Sequence, residues 1–100
     1  ISTAGTVAEA AKLVMEKGDK DVIAAATHPV LVGPAVERLN SGPISRIVVC
    51  NTIPFMERCA PLKGKLVELC VGSLLGQAIH RIHNNQSVSA LFKFTAGTKR

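Results

Sequence analysis

The sequence predicts an α/β protein, a parallel sheet with helices on its flanks. Two observations carry that expectation. Short, almost continuous apolar runs at residues 22–27, 44–51 and 66–71 have the composition of strands covered on both faces. Segments with helical period and helical punctuation lie between and around them, so the order is the one that crossover connections between parallel strands require.

Residues 6–18 read as the first helix. Thr6 and Glu9 have the spacing of a capping box, Ala10, Leu13, Val14 and Lys17 follow the 3.6 period, and Gly18 stops it. Asp19-Lys20-Asp21 and His28-Pro29 bound the first strand. The second helix opens at Gly33-Pro34, where proline suits the first turn, and closes by Asn40-Ser41-Gly42. The second strand follows, and then residues 52–65, which carry Pro54, Pro61 and Gly64 without a clean period, form a loop with one helical turn near Glu57. After the third strand, Ser73 is expected to cap a helix that buries Leu74, Leu75, Ala78, Ile79 and Ile82 and ends at Asn84-Asn85. Residues 87–92 read as a short extended piece. The opening turn needs a strand to leave, so the sheet is expected to be incomplete, with a first strand ahead of Ile1 missing. The domain is placed at residues 1–92 and a tail at 93–100.

Composition narrows the function classes. At 100 residues, 47% of them hydrophobic and 19% charged, the chain is a globular domain or part of one. A chain of this size buries only about 60–65% of its unfolded surface, which makes partners an expectation. No run approaches the ~18–20 apolar residues of a membrane span, so a soluble chain is expected and no membrane partner. Cys50, Cys59 and Cys70 form no C-x-x-C pair, which argues against a disulfide framework or a zinc ribbon; Cys50 and Cys70, inside apolar runs, read as small core residues in a reducing compartment. The net charge of +5 raises the question of nucleic acid. Arg38, Arg46, Arg58, Arg81 and Arg100 are scattered, and there is no Trp or Tyr to stack on bases, so no nucleic-acid partner is expected.

The segment Ser2-Thr3-Ala4-Gly5-Thr6 stands immediately before a helix, where free backbone N–H groups and a partial positive charge favour an anion. Gly5 permits close approach, small Ala4 avoids crowding, and the hydroxyls of Ser2, Thr3 and Thr6 can donate to phosphate oxygens. A monophosphate cradle and an ordinary Thr-capped helix are both compatible with these residues. A Walker loop is not, because no Lys follows the glycine. The copy Thr95-Ala96-Gly97-Thr98 has no helix behind it and reads as coincidence. His80 and His83, spaced i, i+3, read as surface histidines, and no metal site is expected in the chain. His28, at a strand's end, is the better placed of the three for function, since ligands of open α/β sheets gather at strand C-termini, although a satisfied structural histidine is the plainer reading of it. Glu37 and Arg38 read as a solvated helix face.

The turn at residues 2–6 resembles the ribose-5-phosphate loop of ribose-phosphate pyrophosphokinases, and three further motifs resemble the same family in order and spacing. These are the run Ala26-Thr27-His28-Pro29-Val30-Leu31-Val32-Gly33-Pro34-Ala35-Val36-Glu37-Arg38-Leu39-Asn40, the strand Val48-Val49-Cys50-Asn51-Thr52-Ile53-Pro54, and the ending His83-Asn84-Asn85-Gln86-Ser87-Val88-Ser89-Ala90-Leu91-Phe92. Residues 1–92 are covered. The resemblance implies a fold like that of type I phosphoribosyltransferases. It also implies an enzyme that moves the β,γ-diphosphoryl group of ATP to O1 of ribose 5-phosphate, with magnesium, to make phosphoribosyl pyrophosphate for nucleotide biosynthesis. Ser2, Thr3, Ala4, Gly5 and Thr6 would hold the 5-phosphate. The family's catalytic, metal-binding and ATP-binding residues lie ahead of Ile1, so none is expected here and the fragment alone would be inactive. Ser87, Val88, Ser89 and Phe92 match the segment that helps form a regulatory phosphate or ADP site; an edge strand with solvent-facing hydroxyls is the plainer reading of them. A homo-oligomer, dimers built into hexamers, in the cytoplasm or an organelle such as the plastid, is also implied.

Two departures stand out. Ser2 occupies a position where the family usually has Asp, and Val32 one where Ser is common. The first keeps two other readings open, a non-catalytic regulatory relative of the enzyme and a phosphoribosyltransferase. Residues 26–40 and 87–92 favour the pyrophosphokinase over the transferase.

Overall fold

The computed structural model describes residues 1–93, which fall into two compact units, Ile1–Cys70 and a second that begins at Val71. In chain order the first unit holds α1 (Gly5–Glu16), β1 (Ile23–Ala26), α2 (Ala35–Ser41), β2 (Arg46–Cys50), a 3-10 helix (Glu57–Leu62) and β3 (Leu66–Leu69). The second holds α3 (Gly72–His83) and a 3-10 turn (Ser89–Phe92). The tail assigned to 93–100 and the second Thr-Ala-Gly-Thr lie, apart from Lys93, outside the described residues.

The sheet is parallel throughout, in the order β1-β2-β3. Its register brings Ala24, Ile47 and Leu66 side by side on one face and Ala25, Val48 and Val67 on the other. Only the first face is closed. Ala24, Ile47 and Val49 are buried there with Ala11 of α1, Ala35 and Leu39 of α2, and Cys59 and Leu62 of the 3-10 helix. The expectation of strands covered on both faces is corrected for this unit. The apolar composition is there, but α1, α2 and the 3-10 helix all contribute to one core, and Ile23, Val67 and Leu69 are exposed.

α1 starts one residue earlier than expected and without a side-chain cap. The Ala8 amide donates to the Ala4 carbonyl at 3.0 Å, which makes Ala4 the N-cap, in left-handed conformation at φ 64°. Thr6 therefore lies inside the first turn, where its hydroxyl has no cap to perform. At the other end, Gly18 has φ 100° and its amide bonds back to Met15, as a helix-stopping glycine should. α2 is capped by Pro34, whose carbonyl accepts the Arg38 amide at 3.0 Å, and its Ala35 and Leu39, one turn apart, are fully buried.

The C-terminal unit departs from expectation in three places. The helix starts at Gly72 with Val71 as its cap, so Ser73 is inside it and accepts a hydrogen bond from Gln77 at 3.2 Å. None of its residues is buried: Leu75, Ile79 and Ile82, expected in a core, are exposed. The apolar stripe is real, but among the described residues of this unit only the short turn that follows packs against the helix. That turn, Ser89–Phe92, is a 3-10 helix rather than an extended piece. Arg81 shapes the return by donating to the Ser87 carbonyl at 3.1 Å. The cysteines also sort differently. Cys59 is the buried one, Cys50 is half-buried, and Cys70, expected in the core, is exposed with the Asn51 amide 3.3 Å from its sulfur. Cys70 directly follows β3, whose residues 67–69 are already exposed.

Candidate functional site

The turn at residues 2–6 is built from both directions along the chain. Because Ala4 accepts the first helical bond, the amides of Ala4, Gly5, Thr6 and Val7 come before the helix's hydrogen-bond ladder and have no partner within it. α1 has no acidic residue in its first turn, so the positive end of the helix is not neutralised from within. The side chains of Ser2, Thr3 and Thr6 are exposed, Ala4 is buried beneath them, and together with Ile1, Gly5, Val7 and Ala10 they line a shallow concavity open to solvent. All five residues singled out from the sequence thus converge on one depression.

The C-terminal edge of the sheet holds this turn in place. Leu31 and Val32 donate their amides to the carbonyls of Ile1 and Ser2 at 3.1 and 3.0 Å, and the Ile1 nitrogen donates to the His28 carbonyl at 3.1 Å. Residues 28–32 leave the end of β1, so the loop after one strand is stitched to the entry of the first helix. Leu31 adopts φ 48° to do this while being buried, an arrangement unusual for a bulky side chain that its backbone bond and its core contacts enforce. Arg58 donates to the Val30 carbonyl at 3.1 Å from the 3-10 helix. His28 lies at the same edge, with its Nδ1 2.7 Å from the Thr52 hydroxyl, which in turn donates to the Thr27 carbonyl at 3.3 Å. The pair bridges the ends of β1 and β2 and fixes the imidazole beside, rather than in, the depression.

Sequence reasoning missed Arg38. Read as part of a solvated face, it is exposed, yet its Nη1 reaches across from α2 to the Thr3 carbonyl at 3.2 Å. The contact joins residues 35 positions apart, so no local pattern announces it.

The candidate regulatory residues lie in the second unit. Ser87 and Ser89 share a hydrogen bond at 2.8 Å, and Phe92, at the end of the 3-10 turn, is exposed. Among the described residues no three His, Cys, Asp or Glu side chains converge as metal ligands, and no helix is long and apolar enough to cross a membrane.

Fold and turn together define a class: a parallel α/β domain whose first helix opens its N-terminus beside the C-terminal edge of the sheet. Residues 1–93 match the family model described as the phosphoribosyl synthetase-associated domain. The chain is 51% identical over 94 residues to a ribose-phosphate pyrophosphokinase of Rhodopirellula baltica, covering 93% of this chain and 29% of that protein. It is 50% identical to the enzyme of the same name from Bacillus subtilis, covering 92% of this chain and 28% of the relative. The crystal structure of phosphoribosylpyrophosphate synthetase from Mycobacterium smegmatis superimposes with a TM-score of 0.79 at 40% identity, over 85% of this chain and 28% of that one. The chain belongs to the phosphoribosyl synthetase-associated domain family. It spans 28–29% of the length of these relatives.

Proposed function

We propose that this chain is the ribose-5-phosphate-binding C-terminal part of a ribose-phosphate pyrophosphokinase, with residues 2–6 as the cradle for the 5-phosphate. The carrying observation is the turn itself, where unpartnered helix amides, the hydroxyls of Ser2, Thr3 and Thr6, and the absence of an acidic first turn coincide in one open depression. Its place beside the sheet's C-terminal edge is where ligands of open parallel sheets bind.

In the whole protein the reaction would move the β,γ-diphosphoryl group of ATP to O1 of ribose 5-phosphate. Such transfers are catalysed chiefly by positioning and by stabilising charge, and the part of this chain is positioning. Holding the phosphate at one end of the sugar fixes the distance and direction of O1 at the other. Magnesium would supply charge neutralisation on the phosphates, with its ligands, by the family resemblance, ahead of Ile1. A homo-oligomer in the cytoplasm, a compartment that keeps cysteine thiols reduced, completes the proposal. Ser87, Val88, Ser89 and Phe92 are proposed as part of a regulatory phosphate or ADP site, supported by the paired hydroxyls and the exposed ring.

Titration of the chain with ribose 5-phosphate, read through backbone amide shifts, tests the proposal. Shifts centred on Thr3, Gly5 and Thr6 that vanish in Gly5→Val are expected. A folded chain whose turn amides do not respond would sink the cradle. ADP added in the same spectra should move residues 87–92 and leave the turn unmoved.

A further inference from the structure

We infer that Arg38 is a positioning residue for the turn, and that residue 5 is glycine in order to make room for it. This rests on the proposed phosphate cradle for its functional consequence, but its structural content can be tested without a ligand. Arg38 extends from α2 to donate to the Thr3 carbonyl, the last carbonyl before the left-handed Ala4. A carbonyl at that place, left free, can turn toward the depression and present a negative dipole to an incoming phosphate. Bound to the guanidinium, it is held back, and the Ala4-to-Val7 amides stay directed outward.

Gly5 supplies the second observation. Its φ is not in the positive region, so no backbone strain demands glycine there. What a Cβ would meet is Arg38: its Nη1 lies 3.0 Å from the position a Cβ would take, with the Thr3 hydroxyl next at 3.9 Å. The obstacle is the far end of a flexible side chain rather than backbone. Alanine at position 5 therefore folds, and indeed suits a helix better than glycine, but it displaces the guanidinium from Thr3. Glu9 pairs with Lys12 at 4.0 Å, and among the described residues no acidic side chain makes an ion pair with Arg38.

The experiment is a cycle on the full chain with Arg38→Met, which keeps the aliphatic stem, Gly5→Ala, their combination, and Arg38→Lys. Without ligand, Arg38→Met should shift the backbone amide resonances of Ala4 to Val7, that of Ala4 most. Gly5→Ala should reproduce those changes without lowering the melting temperature, and the double variant should go no further than either single one. With ribose 5-phosphate, each single variant should bind about 5- to 10-fold more weakly, the scale of one charge-assisted hydrogen bond at an exposed site, with partial recovery in Arg38→Lys. Unchanged turn amides in Arg38→Met, or losses that multiply in the double variant, would overturn the inference. Absence of ribose 5-phosphate binding in the unmodified chain would instead count against the cradle, and the ligand-free spectra would still decide the role of Arg38.

Discussion

Ala4 shows how much of the site depends on a single backbone conformation. It is buried at φ 64°, a region that costs an L-residue about 1–2 kcal/mol, and its carbonyl starts α1. A small side chain is tolerated there because its one methyl group finds space in the core. Ala4→Val adds a β-branch both to a left-handed residue and to a filled site, and should lower unfolding stability by about 2–4 kcal/mol in denaturant titrations. A change under about 0.5 kcal/mol, within the ordinary surface range, would mean that the turn can relax into another conformation. Ala4 and Gly5 stand out in the sequence as small residues before a helix, yet the reasons for them differ. One accommodates its own backbone, whereas the other makes room for Arg38, and only the folded chain separates the two.

Among the elements, α2 is the one that makes two long-range polar contacts of different kinds. Its Arg38 looks back to the turn, and its C-terminal carbonyls are gathered by Lys65, whose Nζ lies 3.1 Å from both the Leu39 and the Asn40 oxygens. A half-buried cation on the negative end of a seven-residue helix satisfies two carbonyls and opposes the helix dipole at once. Lys65→Met keeps the stem and removes both, and should cost about 1–2 kcal/mol of stability by thermal or denaturant unfolding. Equal stability in the two proteins would assign those carbonyls to water. The existence and order of the helices and strands could be read from apolar period, Pro34, Gly18 and Asn84-Asn85. Their first residues could not. Thr6 and Ser73 have the side chains of caps, but the turns at Ala4 and Val71 start each helix before the hydroxyl is reached.

For the molecule as a whole, the open face of the sheet matters most. Ile23, Val67 and Leu69 are exposed there around half-covered Val48, within a unit that has only one buried core. Contiguous apolar surface of this kind drives association, and the chain alone should sediment as a concentration-dependent mixture of monomer and larger species, with Val67→Lys shifting it toward monomer. A single monomeric boundary at all concentrations would contradict this. By itself, the sequence determined the parallel α/β class, the alternation of elements, a turn at residues 2–6 leading into the first helix and, through four ordered motifs, the family, because these depend on local period, backbone preference and short spacings. Only the tertiary structure decided which sheet face is covered, that residues 28–32 brace the turn, and that Arg38 reaches Thr3. Those outcomes depend on contacts between segments far apart in the chain, and packing rather than local propensity selects such contacts.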